Sequence, residues 1–316
     1  MDYSEFCNYI KDHILEYMPE EFSQAEVLLD TTMKNNSVVR QGITIRTEDT
    51  NIAPKVYLEE FYQKYDYGMP IEAVCQKAAE EYQHHMIREL PFDVEMVKNF
   101  DVAREHLTTK VVAAKNNKVL LRERPSTKLD DLAVLYQINV GKFADGTASI
   151  PVTNEIMRNW GVSISELHKI AVENTERINP ATLGSITGTM FEMEENYFVS
   201  GGYTPDSPLL VLSNKDKFDG ASVIANQEIL EKVSEVIGDD YYLFPSSVHE
   251  ALVLAKGIAE EMGITPKKMG QMVREVNAAQ VDKEEQLSDH IYEYNRDSKT
   301  LETVRDSKEK SMEMER

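Results

Sequence analysis

The stretch Pro245-Ser246-Ser247-Val248-His249-Glu250 holds the residue types of a hydrolase. Ser247 would attack, His249 would act as base, and an acid such as Asp219 or Glu250 would orient the imidazole. Spacing resists this assignment. On an extended strand Ser247 and His249 share one face while Ser246, Val248 and Glu250 share the other, yet side chains two apart stand roughly 6–7 Å from each other. No G-x-S-x-G turn exposes a serine. A polar strand face, its serines satisfying the backbone where the chain turns, is the competing account.

Four other constellations carry chemistry. Asp219-Gly220-Ala221-Ser222 precedes a helix. Small residues there permit close backbone approach and helix N-termini attract anions, but one glycine is no phosphate loop and Asp219 would repel a phosphate. Arg122 and Arg124 lie upstream of Asp130 and Asp131, across a loop before an apolar strand. They would pair as ions, or the arginines would grip an acidic ligand and the aspartates a cation, although oxygen sites need more than two ligands. Glu81 and His84 form Glu-x-x-His on a helix, the half-site of a di-iron bundle, but the second copy is missing, so no metal is expected. Residues 153–178 have helix–turn–helix proportions. Glu166, Glu173 and Glu176 on the second helix are wrong for a recognition helix, which leaves a packed helical hairpin.

These groups sit in a chain of 316 residues with 34 Lys and Arg against 55 Asp and Glu, a formal net charge of -21. That balance disfavours contact with phosphate backbones and anionic lipids. The basic cluster Lys110, Lys115, Lys118, Arg122, Arg124 and Lys128 is spread out and broken by apolar residues. Two cysteines, Cys7 and Cys75, are too few for a disulfide framework, and no apolar run approaches a bilayer span. The expectation is a reduced, cytoplasmic protein without a cofactor.

Periodicity supplies the elements that must position the polar groups. Phe6, Ile10, Ile14 and Met18 predict a helix over 3–18, and residues 25–33 and 38–46 predict a hairpin across Lys34-Asn35-Asn36-Ser37. A short strand at 54–57 leads to helices starting near 58 and at Pro70. Short helices are expected from Pro91 to 107, strands at 108–114 and 132–140, and helices at 153–160 and 163–178. Residues 179–206, rich in Gly and Pro, read as a surface loop. Beyond them come strands at 208–212 and 241–244, a sheet continuation at 248–256, helices at 227–237 and 266–277, and a hairpin at 291–304. Helices and strands do not alternate regularly, which predicts an α+β fold of mixed, mostly antiparallel sheets with packed helices, not a doubly wound one. The expected division is an N-terminal subdomain 1–107, a main domain 108–305 and a charged, disordered tail 306–316.

The ordered segments IAPKVYLEEFY, RPSTKLDDLAVLYQINVG, WGVSISELHKIAVENT, LSNKDKFDGASVIAN, LFPSSVHEALVLAK and LSDHIYEYNRDSKTLETV resemble DUF5688, an uncharacterised bacterial family of unknown function. The likeness runs from about residue 2 to 304. It implies a bacterial, cytoplasmic accessory gene product, in a family common in gut Gram-positive bacteria and seen near mobile elements, and carries no reaction onto any residue. The leading expectation is a non-enzymatic interaction protein with a protein partner. The alternatives are a hydrolase built on Ser247 and His249, and a nucleic-acid accessory factor using residues 110–128.

Overall fold

A computed structural model describes residues 1–47, 53–86, 95–143, 146–193, 195–201, 203–204 and 207–304. The charged tail expected at 306–316 lies outside them. The chain divides into two units, Met1–Pro91 and Phe92–Arg316.

In unit 1, helix α1 (Tyr3–His13) starts with a reciprocal cap: the Asp2 carboxylate accepts the Glu5 amide at 2.8 Å, and the Glu5 carboxylate accepts the Asp2 amide at 3.0 Å. A 3₁₀ turn, Ile14–Tyr17, completes the helix expected to residue 18. Strands β1 (Glu26–Met33) and β2 (Val39–Arg46) pair antiparallel from Glu26↔Arg46 to Met33↔Val39, as the hairpin pattern predicts. Asn36, at φ 57°, makes the tight turn, a conformation asparagine tolerates. β3 (Val56–Tyr57) pairs with β2, and helices α2 (Glu59–Asp66) and α3 (Ile71–His84) follow. Phe6, Ile10, Ile43, Val74 and Ala78 are buried together, and the Tyr82 hydroxyl donates to the Ile45 carbonyl at 2.6 Å.

Unit 2 opens with short helices α4 (Glu95–Lys98) and α5 (Phe100–Ala103). The Trp160 indole donates to the Val97 carbonyl, which ties this segment to unit 2. The division of the chain therefore falls earlier than the expected boundary near 107. The first sheet consists of β4 (Leu107–Ala113), β5 (Ser126–Leu129), β6 (Leu132–Phe143) and β7 (Gly146–Pro151), with β6 paired antiparallel to the other three. The loop expected between Arg124 and Asp130 is instead strand β5, which pairs with β6, and the chain before it holds helix α6 (Lys118–Glu123). Helices α7 (Asn154–Trp160) and α8 (Ile164–Ile178) meet at Gly161, whose φ of 70° ends α7 in the left-handed region.

The second sheet contradicts the expectation of a loop at 179–206. That segment contains strand β8 (Ala181–Ser185) and helices α9 (Ile186–Met190) and α10 (Tyr197–Ser200). β8 is Ala-Thr-Leu-Gly-Ser, weak in intrinsic strand preference, and it is a strand because it pairs with β9 (Leu209–Asn214) and buries Leu183. A 3₁₀ turn (Gly220–Ala225) and helix α11 (Gln227–Ile237) follow, then β10 (Tyr241–Phe244), β11 (Ala251–Ala255), α12 (Lys256–Glu261), α13 (Pro266–Gln280), β12 (Tyr292–Asn295) and β13 (Thr300–Thr303). The strand order is β13-β12-β10-β11-β9-β8, antiparallel throughout. With antiparallel sheets and packed helices in both units, the fold is α+β. Among the described residues no helix is long and apolar enough to cross a membrane.

Alternation puts the two faces of the second sheet to different uses. Tyr241, Leu243 and Val253 join Leu230 and Val233 of α11 in the main core. Tyr242, Phe244 and Leu254 face the other way, against Ala259 of α12 and Met269 and Val273 of α13.

Candidate functional site

Residues 245–250 do not form the expected strand; β11 starts at Ala251 and Ser247 makes an isolated bridge with Gln286. The bend redirects the polar groups. The Ser247 hydroxyl accepts the backbone amide of His249 at 3.1 Å, a local turn bond. The His249 Nδ1 accepts the Asp219 amide at 3.3 Å, so the neutral ring carries its proton on Nε2, which lies 3.4 Å from the Glu285 carboxylate. With its acceptor nitrogen committed to a backbone amide, the imidazole is not arranged to take a proton from Ser247. The Asp219 carboxylate does not orient His249 either. It is held by Lys110 Nζ, 2.8 and 3.0 Å from its two oxygens. Asp219 borders a polar cavity of about 40 Å³ shared with Thr109, Asn139 and Ser222, roomy enough for a few waters at roughly 10–15 Å³ each. Glu250 borders a different cavity of about 40 Å³, with Thr182, Lys217 and Glu195. There, hydrogen bonds from the Ser185 hydroxyl and amide hold the Glu195 carboxyl below its usual range.

Asp130 and Asp131 form the two-residue loop between β5 and β6, with Asp130 at φ 53°. The Asp130 carboxylate accepts the Thr303 amide at 2.8 Å. Asp131 is not paired with the arginines upstream. Its Oδ2 accepts from His290 Nδ1 at 2.8 Å and from the Ser288 hydroxyl at 3.2 Å, and its Oδ1 accepts from the Tyr292 hydroxyl. Burial alone would raise the Asp131 pKa, but the bonds from His290 and Tyr292 and the charge of His290 bring it below the usual value. The cluster is a polar brace between the β5–β6 loop and β12. Ser288, His290 and Tyr292 recur at a spacing of two, a signal readable in the sequence as one face of an extended segment. The Arg122 carbonyl accepts from the Asn154 side chain, and burial lowers the Arg124 guanidinium from its ordinary value.

In unit 1, Glu81 pairs with His85 at 2.9 Å, one helical turn on, and not with His84 as the Glu-x-x-His reading has it. Among the described residues no three His, Cys, Asp or Glu side chains cluster as a metal site would require.

Among the described residues, a feature with room for a ligand of ordinary size uses none of these candidate groups and, of the 245–250 stretch, only Ser246. It is an apolar groove of about 340 Å³ in unit 2. Leu209 of β9, Phe244 of β10 and Leu252 and Leu254 of β11 make its floor, and Met269, Met272, Val273 and Val276 of α13 make its wall. Sheet order explains it: α12 has six residues, so α12 and α13 together leave part of that sheet face uncovered. Met262 is 55 % exposed, Met272 50 % and Val276 43 %, so apolar side chains form the groove's mouth. Met269, Met272, Val273 and Val276 follow helical spacing, a stripe wider than the two residues α13 buries in its own core. That width was legible; its union with β9–β11 was not.

No curated protein and no solved structure matches this chain. A family model does, over nearly the whole length, in agreement with the ordered segments read from the sequence: residues 3–296 match, and the chain belongs to DUF5688, a family of unknown function.

Proposed function

We propose that this protein is a non-enzymatic binding protein, an accessory factor rather than a catalyst, and that its second unit acts through the groove between β9–β11 and α13. The observation that carries this is the groove itself. Its volume of about 340 Å³ falls in the range of small-molecule sites, roughly 300–1,000 Å³, and its lining is almost wholly aliphatic, aromatic and thioether. The committed hydrogen bonds of His249 and the Lys110–Asp219 ion pair support binding over hydrolysis. The reading places the protein in the cytoplasm, which suits its two buried free thiols.

The test is titration of the full chain with the neutral fluorophore N-phenyl-1-naphthylamine. The expected result is a saturable, one-to-one rise in emission. Met272→Glu and Val276→Glu, at half-exposed positions, should each weaken it by about tenfold or more, roughly 1.4 kcal/mol, with an unchanged far-UV spectrum. A non-saturable rise, or equal binding by both natively folded variants, would remove the proposal.

A further inference from the structure

We infer that the groove selects an uncharged apolar small molecule bearing one hydrogen-bonding group, which it seats at Ser246; this rests on the binding reading above. Two observations carry the choice. Among the described residues no charged side chain lines the groove, so a carboxylate or ammonium buried there would lose water without gaining a partner from them. Among the described residues Ser246 is the one polar residue in the lining, and its hydroxyl makes no hydrogen bond there. Its backbone is fixed, because the Ser246 amide donates to the Phe244 carbonyl and the Ser246 carbonyl accepts the Leu287 amide. An unengaged hydroxyl on a fixed backbone in an apolar lining orients a ligand by its single polar group. Ser247, its neighbour, is engaged by the His249 amide and does not line the groove. Three methionines, Met262, Met269 and Met272, supply an adaptable surface, so the apolar body is chosen by polarity and size more than by outline.

The experiment is displacement of N-phenyl-1-naphthylamine from the full chain by 1-decanol, decanoate, decylammonium and an amphipathic helical peptide. Decanol is expected to displace the probe, with both ions weaker by about tenfold or more. Ser246→Ala, which removes no internal hydrogen bond, should weaken decanol about fivefold relative to the probe. The inference is overturned if either ion competes as well as decanol, if Ser246→Ala leaves decanol unchanged, or if the peptide displaces the probe and decanol does not. In each of these cases the probe still binds, so the binding reading survives; that reading falls only if the probe itself fails to bind.

Discussion

A methyl group on Gly220 would stand 2.1 Å from the Ser213 hydroxyl and 2.3 Å from the His249 carbonyl oxygen. These two atoms already share a hydrogen bond of 2.7 Å, so neither can retreat without breaking it. Gly220→Ala is therefore expected to destabilise the protein by about 1–3 kcal/mol, the usual cost of overpacking. Urea unfolding would show this as a lower midpoint at an unchanged slope, and a midpoint equal to the parent's would refute it. The sequence Asp-Gly-Ala-Ser does announce that something approaches closely. It does not say that the visitor is the carbonyl of His249, a residue first picked out for its ring. The ring's role was equally hidden, since which nitrogen of an imidazole carries the proton depends on neighbours brought in from Asp219 and Glu285.

At the scale of elements, the brace around Asp131 ties the β5–β6 loop to β12. Its carboxyl is held below the unfolded value of about 3.9. Near and below that pH the unfolded chain binds more protons than the folded one. The brace thus contributes its full stability above about pH 4 and loses it as the pH falls through the lower folded value. Asp131→Asn should flatten the acid limb of the stability curve and cost about 1 kcal/mol at neutral pH. That figure is low because a third of the side chain meets water. Urea midpoints at pH 3, 5 and 7 would check it, and identical acid limbs in parent and variant would refute the assignment. Other elements were plain from local pattern. The β1–β2 hairpin, α11 and β10 lie where periodicity and turn residues put them, because each carries its own apolar face. β8 was not plain, because its strand character comes from β9 and not from its own residues.

For the whole molecule, each unit has a core of its own. Phe6, Ile43 and Val74 belong to one cluster, and Leu107, Leu212 and Leu243 to another. Fragments 1–91 and 92–316 are expected to unfold separately, each in one cooperative thermal transition with a near-UV dichroism signal. A fragment without either would show that the units fold only together. Sequence alone settled what local periodicity and charge can settle: amphipathic helices, antiparallel pairing without a doubly wound order, a net charge of -21, and the family. Those properties depend on neighbours a few residues apart. Tertiary structure decided which polar groups meet and where the apolar groove opens. Asp131 finds Ser288, His290 and Tyr292, and residues from Pro208 to Val276 line one groove, only through the strand order β12-β10-β11-β9 and the placement of α13. That order is chosen by many weak, long-range contacts summed over the sheet, and no single stretch of sequence carries it.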